Sequence, residues 1–216
     1  LTKEQQHFVK AYFERQVRNY VIPLMIESLP QLPYIRDKSI YLGVVMKKKH
    51  TAYQDQYALI EVPVKANGRF VQLPTHDHQK HIILLEDVIR YNLPRIFPYF
   101  DYDFFEAWIF KVTKDAEIEI DHDVAVSFVE RMAKGIKSRR KGKPVRFVYD
   151  KEMDNGLLQY LIGRLGLTKK SAIIPGGRIH NFRHFMDFPD VFHAEKSKLP
   201  PIPHPDLKNE QQTTNS

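Results

Sequence analysis

The sequence predicts an α+β (mixed α/β) fold, in which a mixed sheet is flanked by several amphipathic helices. Short β-branched and aromatic runs, bounded by Pro, Gly or polar residues, are typical of strands. Between and after them, apolar residues recur at the three- and four-residue spacing of amphipathic helices. Hairpin-like and crossover spacings are both present, without an internal repeat. Of the 216 residues, 43% are hydrophobic, which is typical of a folded chain.

The first predicted element is a helix over residues 3–21. Thr2 and Gln5 have the spacing of a capping box, in which each side chain satisfies a free backbone donor at the helix start. One apolar stripe follows, made of Phe8, Val9, Tyr12, Phe13, Val17, Tyr20 and Val21. From Pro23 to Pro33 the prolines are too frequent for regular structure, which predicts a connection.

The middle of the chain predicts mainly strands. The four candidates are residues 40–46, 57–62, 69–73 and 81–85, each short and rich in β-branched or aromatic residues. A short helix over 86–97 should end near Pro98, and 104–113 is a long strand candidate with one buried face. The order of these elements indicates a sheet with helices packed on it.

Strand and helix signals alternate in the second half. Asp121 is placed to cap a helix whose apolar stripe is Val124, Phe128, Met132 and Ile136. A strand over 145–149 is followed by a helix around 157–165, with Gly166 as its C-cap. After Ile173 and Ile174, a Pro-Gly-Gly turn leads to a last predicted helix over 178–188. We predict one domain over 1–198, then a proline-rich extended segment and polar tail over 199–216.

The net charge of +7 is concentrated in one segment. Residues 131–146 hold eight Lys or Arg and no acid, which leaves 25 basic and 26 acidic side chains in the other 200 residues. The candidate polyanion-binding residues in this basic run are Lys137, Arg139, Arg140, Lys141, Lys143 and Arg146. The alternative is a solvated helix end and loop without a ligand.

A second candidate anion site is the turn formed by Gly176, Gly177 and Arg178. Exposed backbone amides and the dipole of a helix beginning there would both favour a phosphate. The competing interpretation is a simple chain reversal, which is the commoner use of a Pro-Gly-Gly turn.

The histidines predict neither a metal site nor a catalytic centre. His76, His78 and His81 lie close together and resemble zinc ligands, but a polar loop between two strands explains them with fewer assumptions. His180 and His184 have the spacing of a metalloprotease motif, but Asn181 stands where that motif needs Glu. The nucleotide-binding and nucleophile-elbow motifs are missing from the sequence. We therefore expect no catalytic or metal-binding residue and no cofactor in this chain.

The composition also bears on location. The sequence contains no Cys, which excludes disulfides and thiolate metal sites and favours a reducing compartment, the cytoplasm by default. Apolar runs of the length of a spanning helix are missing, as is a signal peptide. The chain opens on Leu1 and at once on a helix cap, which suggests a start at a domain boundary.

Seven stretches, taken together and in order, resemble the long, multidomain polyphosphate kinase of bacteria. They are KSIYL at 38–42, YALIEVP at 57–63, RFVQLP at 69–74, ILLEDVI at 83–89, FKVTKDAEI at 110–118, RRKGKPVR at 139–146 and GGRIHNF at 176–182. Each stretch is short, but together they cover nearly the whole chain.

The resemblance implies that this chain is the second of four domains, the head domain, which in that family contributes to dimer formation. The family enzyme transfers the terminal phosphate of ATP to polyphosphate, reversibly, with magnesium and a phosphohistidine intermediate. Its catalytic residues belong to later domains, so this fragment is expected to be inactive and no histidine here inherits that role. The implied partners are the other domains, polyphosphate and a second copy in a homodimer or higher oligomer. The cytoplasmic parent enzyme would associate with membranes peripherally at most.

Two alternatives remain open on sequence alone. A basic segment beside Phe147 and Tyr149 on a strand is also what a single-strand nucleic-acid-binding module shows. The near-neutral remainder of the chain and the lack of a known nucleic-acid motif count against it, and we expect no nucleic-acid partner. The second alternative is a purely structural dimerisation domain without a ligand.

Overall fold

The computed structural model describes residues 1–32, 34–48, 54–75, 79–114, 144–168 and 170–190. Its α-helices are α1 (Lys3–Tyr12), α2 (Val64–Asn67), α3 (Leu85–Tyr91), α4 (Leu93–Ile96) and α5 (Asn155–Arg164). Its strands are β1 (Leu24–Met25), β2 (Ile40–Lys47), β3 (Gln56–Glu61), β4 (Phe70–Gln72), β5 (Ile82–Leu84), β6 (Phe104–Lys114), β7 (Pro144–Asp150) and β8 (Ala172–Gly176). This mixture confirms the predicted α+β class.

Six strands form one mixed sheet in the order β1-β3-β2-β6-β7-β8. All neighbours are antiparallel except β7 and β8, which are parallel and are connected through α5. A parallel pair requires such a crossover, and α5 covers one face of the sheet. The predicted strands at 69–73 and 81–85 form a separate two-stranded hairpin of β4 and β5.

Each face of the large sheet has its own core. On one face, Ile40, Leu42 and Val44 of β2 pack with the helical N-terminus and α3. On the other face, Tyr41 and Val45 of β2 pack with α5. The alternation follows from the two-residue period of a strand, so β2 is buried on both sides.

A glycine lets α5 approach the sheet closely. A Cβ built on Gly43 of β2 would lie 3.0 Å from Cδ2 of Leu157, which is completely buried on α5. A side chain at this position would therefore push against the helix. The close approach is what allows α5 to seal that face of the sheet.

The capping box at Thr2 is confirmed, but the predicted α-helix over 3–21 changes type along its length. The Gln5 amide donates to Thr2 Oγ1 at 3.2 Å, and the Thr2 amide donates to Gln5 Oε1 at 3.1 Å. A π-helix (Phe13–Val17) and a 3₁₀ turn (Arg18–Tyr20) follow α1. The fully buried residues are spaced by four, wider than the 3.6 of an α-helix, and the wider π turn keeps them on one side. Tyr20, predicted in the stripe, is 56% exposed.

The predicted helix over 86–97 is two helices in the structure. Asn92 separates α3 from α4, and Pro94 lies in the first turn of α4. Proline has no N–H to donate to the preceding turn, so a continuous helix through this position would lose a hydrogen bond and meet a steric clash. The Asn92 side chain instead donates to the Val88 carbonyl at 2.8 Å.

The helix predicted after β7 is confirmed with its C-terminal glycine. Gly166 has a φ of 63°, and its amide donates to the Gly163 carbonyl, while the Leu167 amide donates to the Ile162 carbonyl. These two bonds form a Schellman motif, which requires the left-handed backbone that glycine adopts readily. The strand predicted over 145–149 is likewise confirmed as β7.

Three predictions fall outside the described residues. They are the helix after Asp121, most of the basic run and the extended segment from 199 onward. Within the described ranges, the longest α-helices have 10 residues, and none has the length and apolar character needed to span a bilayer.

Candidate functional site

A row of polar side chains occupies one face of β6 and β7. In the sheet register Lys111 pairs with Val148, and Thr113 pairs with Arg146. Directly paired residues point to the same face, so Lys111 and Arg146 lie as diagonal neighbours. This is the face opposite α5, where the crossover helix does not reach.

The end of the sheet and the segment after β8 border an open cavity of about 380 Å³, which we call the basic pocket. Lys111, Thr113, Arg146 and Val148 form the side made by β6 and β7. The other wall consists of Gly176, Gly177, Ile179, His180, Asn181 and Phe182. Among the residues that the structure describes, the lining contains two cationic side chains and no carboxylate.

The surroundings of Lys111 bring like charges close together at the basic pocket. Burial lowers the pKa of Lys111, and the nearby charges of Lys38 and Arg146 lower it further, whereas Asp37 opposes them. Like charges brought close together disfavour each other's charged form. An anion in the basic pocket would relieve this repulsion.

Asn181 joins the wall of the basic pocket to the rest of the fold. It has a left-handed backbone with a φ of 59°. Nζ of Lys111 donates to its Oδ1 at 3.2 Å, and Nη1 of Arg69 donates to its carbonyl at 3.1 Å. Arg69 is itself fully buried in an ion pair with Glu86 of α3, at 2.7 Å. The buried pair therefore anchors the 177–182 segment.

His180 is a buried titratable group on the wall of the basic pocket. It is 5% exposed, and its Nε2 has no hydrogen-bond partner among the described residues. Burial lowers the pKa of His180, while a hydrogen bond with the Gly177 backbone and the charge of Asp150 oppose that shift; Arg69 and Lys111 add to the lowering. The imidazole is therefore neutral at neutral pH, with one nitrogen left to be satisfied.

The structure brings residues of both candidate anion sites, the basic run and the Gly176–Arg178 turn, into one pocket. Arg146, from the basic run, and Gly176 and Gly177, from the turn, all line the basic pocket. The remaining candidates of the basic run lie outside the described residues: Lys137, Arg139, Arg140, Lys141 and Lys143. Their role in polyanion binding stays a prediction.

Arg178 is not part of the basic pocket, and the predicted helix start at this residue is wrong. Its guanidinium makes two hydrogen bonds to the Asp87 carboxylate, at 2.8 and 3.0 Å. The segment forms a 3₁₀ helix only from Phe182 to Asp187, because the chain first turns through the left-handed Asn181. Arg178 therefore holds the turn against α3. Because the 3₁₀ helix begins only at Phe182, the dipole of a helix beginning at Arg178 is not available to an anion.

Sequence reasoning missed Lys111 and His180. Lys111 lies inside the long predicted strand, between Phe110 and Val112. A cation flanked by apolar residues was the feature of the sequence that could have indicated a functional position there. His180 was considered only as a metal ligand, and its burial depends on contacts with β7 and β8 that are distant in sequence.

A second, larger cavity of about 820 Å³ lies between the start of α1 and the β4–β5 hairpin. Its lining includes Asp87 and Arg178, which neutralise each other, together with His81 and apolar residues of β5. His76 and His78 lie outside the described residues, and within them no group of three His, Asp or Glu side chains is arranged to hold a metal. Of these two cavities, the basic pocket is the one whose described lining has two cationic side chains and no carboxylate.

Comparison with known proteins places this fold in a family. The family model described as polyphosphate kinase middle domain matches residues 4–188. Polyphosphate kinase of Vibrio vulnificus (strain YJ016) is 36% identical over 208 residues, which covers 94% of this chain and 29% of that protein. That of Escherichia coli (strain K12) is 36% identical over 204 residues, covering 93% and 29%.

A solved structure shows the same fold. The crystal structure of polyphosphate kinase from Porphyromonas gingivalis superposes with a TM-score of 0.69 at 24% identity, covering 89% of this chain and 26% of that one. The chain thus has the α+β fold of one part of that larger structure. It belongs to the polyphosphate kinase middle-domain family, as the sequence resemblance predicted, and it spans about 29% of the length of the curated relatives it matches.

Proposed function

We propose that this chain is a non-catalytic internal domain, bounded near residue 198, of an ATP:polyphosphate phosphotransferase. In that enzyme it contributes to dimerisation and guides polyphosphate along a basic surface. The observation that carries the second role is the sheet face on which Lys111 and Arg146 lie together, where the described lining includes no α-helical residue and no carboxylate. Family membership supports the parent activity.

A polyphosphate chain is a dense linear anion, and cations on a protein bind such chains largely by displacing condensed counterions. Arg146 is on β7, directly after the basic run in sequence. The guiding surface therefore consists of the basic run from Lys137 to Lys143 and, continuous with it in sequence, the edge of the basic pocket. Arginines also bind phosphate through two parallel hydrogen bonds, which lysine cannot do.

ATP and magnesium would be bound by the rest of the enzyme. Magnesium is usually held by one or two carboxylates together with substrate phosphates and waters, and the described lining of the basic pocket contains no carboxylate. The basic pocket therefore offers no side-chain carboxylate to a magnesium ion. Its contribution to the reaction is to bind and orient the polymer.

The proposed role in dimerisation draws on an exposed aromatic patch. Tyr99, Phe100 and Phe104, between α4 and the start of β6, are 97%, 38% and 40% exposed. Aromatic side chains are enriched at protein interfaces relative to the rest of a protein surface. Light scattering of the whole chain tests this contact. We expect the variant Tyr99→Ser/Phe104→Ser to shift the chain from dimer towards monomer.

Titration of the whole 216-residue chain with long-chain polyphosphate at two salt concentrations tests the guiding role. We expect binding that weakens steeply with salt and is lost in Arg139→Glu/Arg140→Glu. The control, Arg15→Glu/Lys65→Glu, reverses two exposed cations elsewhere and should bind normally. Polyphosphate binding that is unchanged in Arg139→Glu/Arg140→Glu would contradict the proposal. Binding to RNA but not to polyphosphate would favour a nucleic-acid-binding module.

A further inference from the structure

We propose that the basic pocket binds a single phosphoryl oxyanion, with Lys111 and Arg146 as its cations and His180 as its hydrogen-bonding imidazole. This inference rests on the proposed function in naming polyphosphate as a source of the oxyanion. It goes further in assigning a defined site for one phosphate unit, distinct from the basic run. Free orthophosphate carries the same chemistry and is the other source.

The dimensions of the basic pocket suit this ligand. A water molecule accounts for about 30 Å³ of liquid volume, so a cavity of about 380 Å³ admits a tetrahedral oxyanion with several waters. Phe182, which is 71% exposed, stands at its edge. The site is thus large enough for one unit of a polymer whose neighbours extend into solvent.

The charges in the basic pocket favour an anion. Lys111 donates one hydrogen bond to Asn181, and its ammonium has further donors. Asp37 acts by its charge on Lys111 and Asp150 on His180, but neither carboxylate lines the basic pocket, and their Oδ1 atoms accept from the Lys114 and Glu152 amides, both at 3.1 Å. The described lining therefore holds two cations and no carboxylate that competes with a ligand.

His180 provides the second, independent observation. Its Nε2 is buried and unpartnered among the described residues, although the side chain is 5% exposed and lines the cavity. A buried polar atom without a partner is costly and calls for a hydrogen bond from a ligand or an ordered water. Because the other ring nitrogen is bonded to the Gly177 backbone, Nε2 of the neutral ring is an acceptor. The P–OH of a monoprotonated phosphate donates to it directly, or one water donates to Nε2 and to the oxyanion and so bridges the two.

The test titrates sodium orthophosphate and tripolyphosphate separately into the whole 216-residue chain at constant ionic strength, and follows the imidazole signals by NMR. His180→Leu identifies the signals of His180. We expect these signals to shift saturably, with Lys111→Met and Arg146→Met each weakening binding about tenfold. Lys65→Met and Arg15→Met remove the same charges from exposed positions elsewhere and should leave the affinity unchanged.

His180→Gln keeps a hydrogen-bonding amide and should retain more affinity than His180→Leu. The thermal unfolding midpoint of each variant shows whether it folds. Unchanged His180 signals at saturating phosphate, or equal losses in the pocket variants and the control variants, would overturn the proposal. Tighter binding of tripolyphosphate than of orthophosphate identifies a polymer unit as the ligand, whereas equal affinity identifies free phosphate.

The same titrations distinguish failure of the phosphate site in the basic pocket from failure of the proposed guiding role. Arg139→Glu/Arg140→Glu should weaken long-chain polyphosphate and spare orthophosphate. If orthophosphate binds the wild type while long-chain polyphosphate does not, the pocket stands and the guiding role fails. If the double variant removes orthophosphate binding as well, the separate phosphate site is wrong.

Discussion

One face of the large sheet has two halves: one is buried in the core, and the other lines the basic pocket. Over β2 and the first part of β6, the face is apolar and buried beneath α1, the π-helix and α3. Farther along the same strand, Lys111 and Thr113 point the same way as the fully buried Ile109, but they line the basic pocket. A change of two residues along β6 thus separates core from binding surface. The difference teaches that helix coverage, and not the strand itself, decides which residues serve stability.

The two halves are joined by a buried ion pair. Arg69 and Glu86 are both 1% exposed by side chain, and Arg69 also holds the Asn181 carbonyl in the pocket wall. The covered half therefore positions the open half through α3. This link is where the largest mutational effect is expected.

Arg69→Met should lower the free energy of unfolding by about 3–5 kcal/mol, because it leaves the Glu86 carboxylate buried without its partner. Chemical denaturation measures the loss. Arg69→Met/Glu86→Met should recover much of it, since both charges are then removed. A single variant as stable as the wild type would break the proposed link between the halves.

Ile109→Ala should cost about 3 kcal/mol, within the range for a large-to-small change in a core. Lys111→Met, two residues on, should change the free energy of unfolding by less than about 1 kcal/mol and instead weaken phosphate binding. Denaturation and phosphate titration of both variants provide the comparison. Equal losses of stability at the two positions would mean that the halves do not differ.

Thr2→Ala removes the side chain that caps α1 and should cost about 1 kcal/mol. Because α1 covers only the apolar half, the phosphate response of His180 should stay unchanged. Denaturation midpoints and the NMR titration measure the two effects. Thr2→Ser keeps the capping oxygen and serves as the control; an equal loss in both variants would exclude capping as the cause.

Acid should selectively destabilise the segment that contains His180, in the wall of the basic pocket, and His184, in the 3₁₀ helix that follows it. Burial lowers the pKa of both His180 and His184, so the unfolded chain binds protons that the folded chain does not. The free energy of unfolding should therefore decrease as pH falls below about 6.5, the ordinary histidine value, and recover as pH rises through it. Denaturation midpoints across this window measure the effect.

His180→Gln/His184→Gln should flatten this pH dependence. His7→Gln, at an exposed position on α1, is the matched control and should leave the dependence in place. Phosphate should counteract the acid effect in the wild type, because an anion favours the protonated imidazole. A pH dependence that survives the double variant would show that it originates in groups other than His180 and His184.

Local patterns in the sequence predicted most of the elements. The capping box at Thr2, the long strand β6 and the left-handed Gly166 all depend on neighbouring residues, so their geometry is visible in short windows. The predicted helix over 86–97 is divided in the structure because Pro94 has no N–H to donate to the preceding turn. The change to a π-helix at Phe13 depended on which residues the sheet would bury.

The candidate site was predicted in part. A dense basic run is visible in composition, and it pointed to Arg146. Arg178 was assigned to anion binding because a helix was expected to begin there, whereas its actual partner, Asp87, lies 91 residues away in the chain. Lys111 and His180 carried no motif, since their proximity arises only when β6, β7 and β8 pair.

By itself, the sequence determined the α+β class, the family and the neutral character of the chain outside one basic run, because each depends on composition or on residues close in sequence. Only the tertiary structure decided the strand order, the part of the sheet that no α-helix of the described residues covers, and the meeting of Lys111, Arg146 and His180. The physical reason is that charge and burial at a site are sums over neighbours in space. Those neighbours come from three strands and a turn distant along the chain.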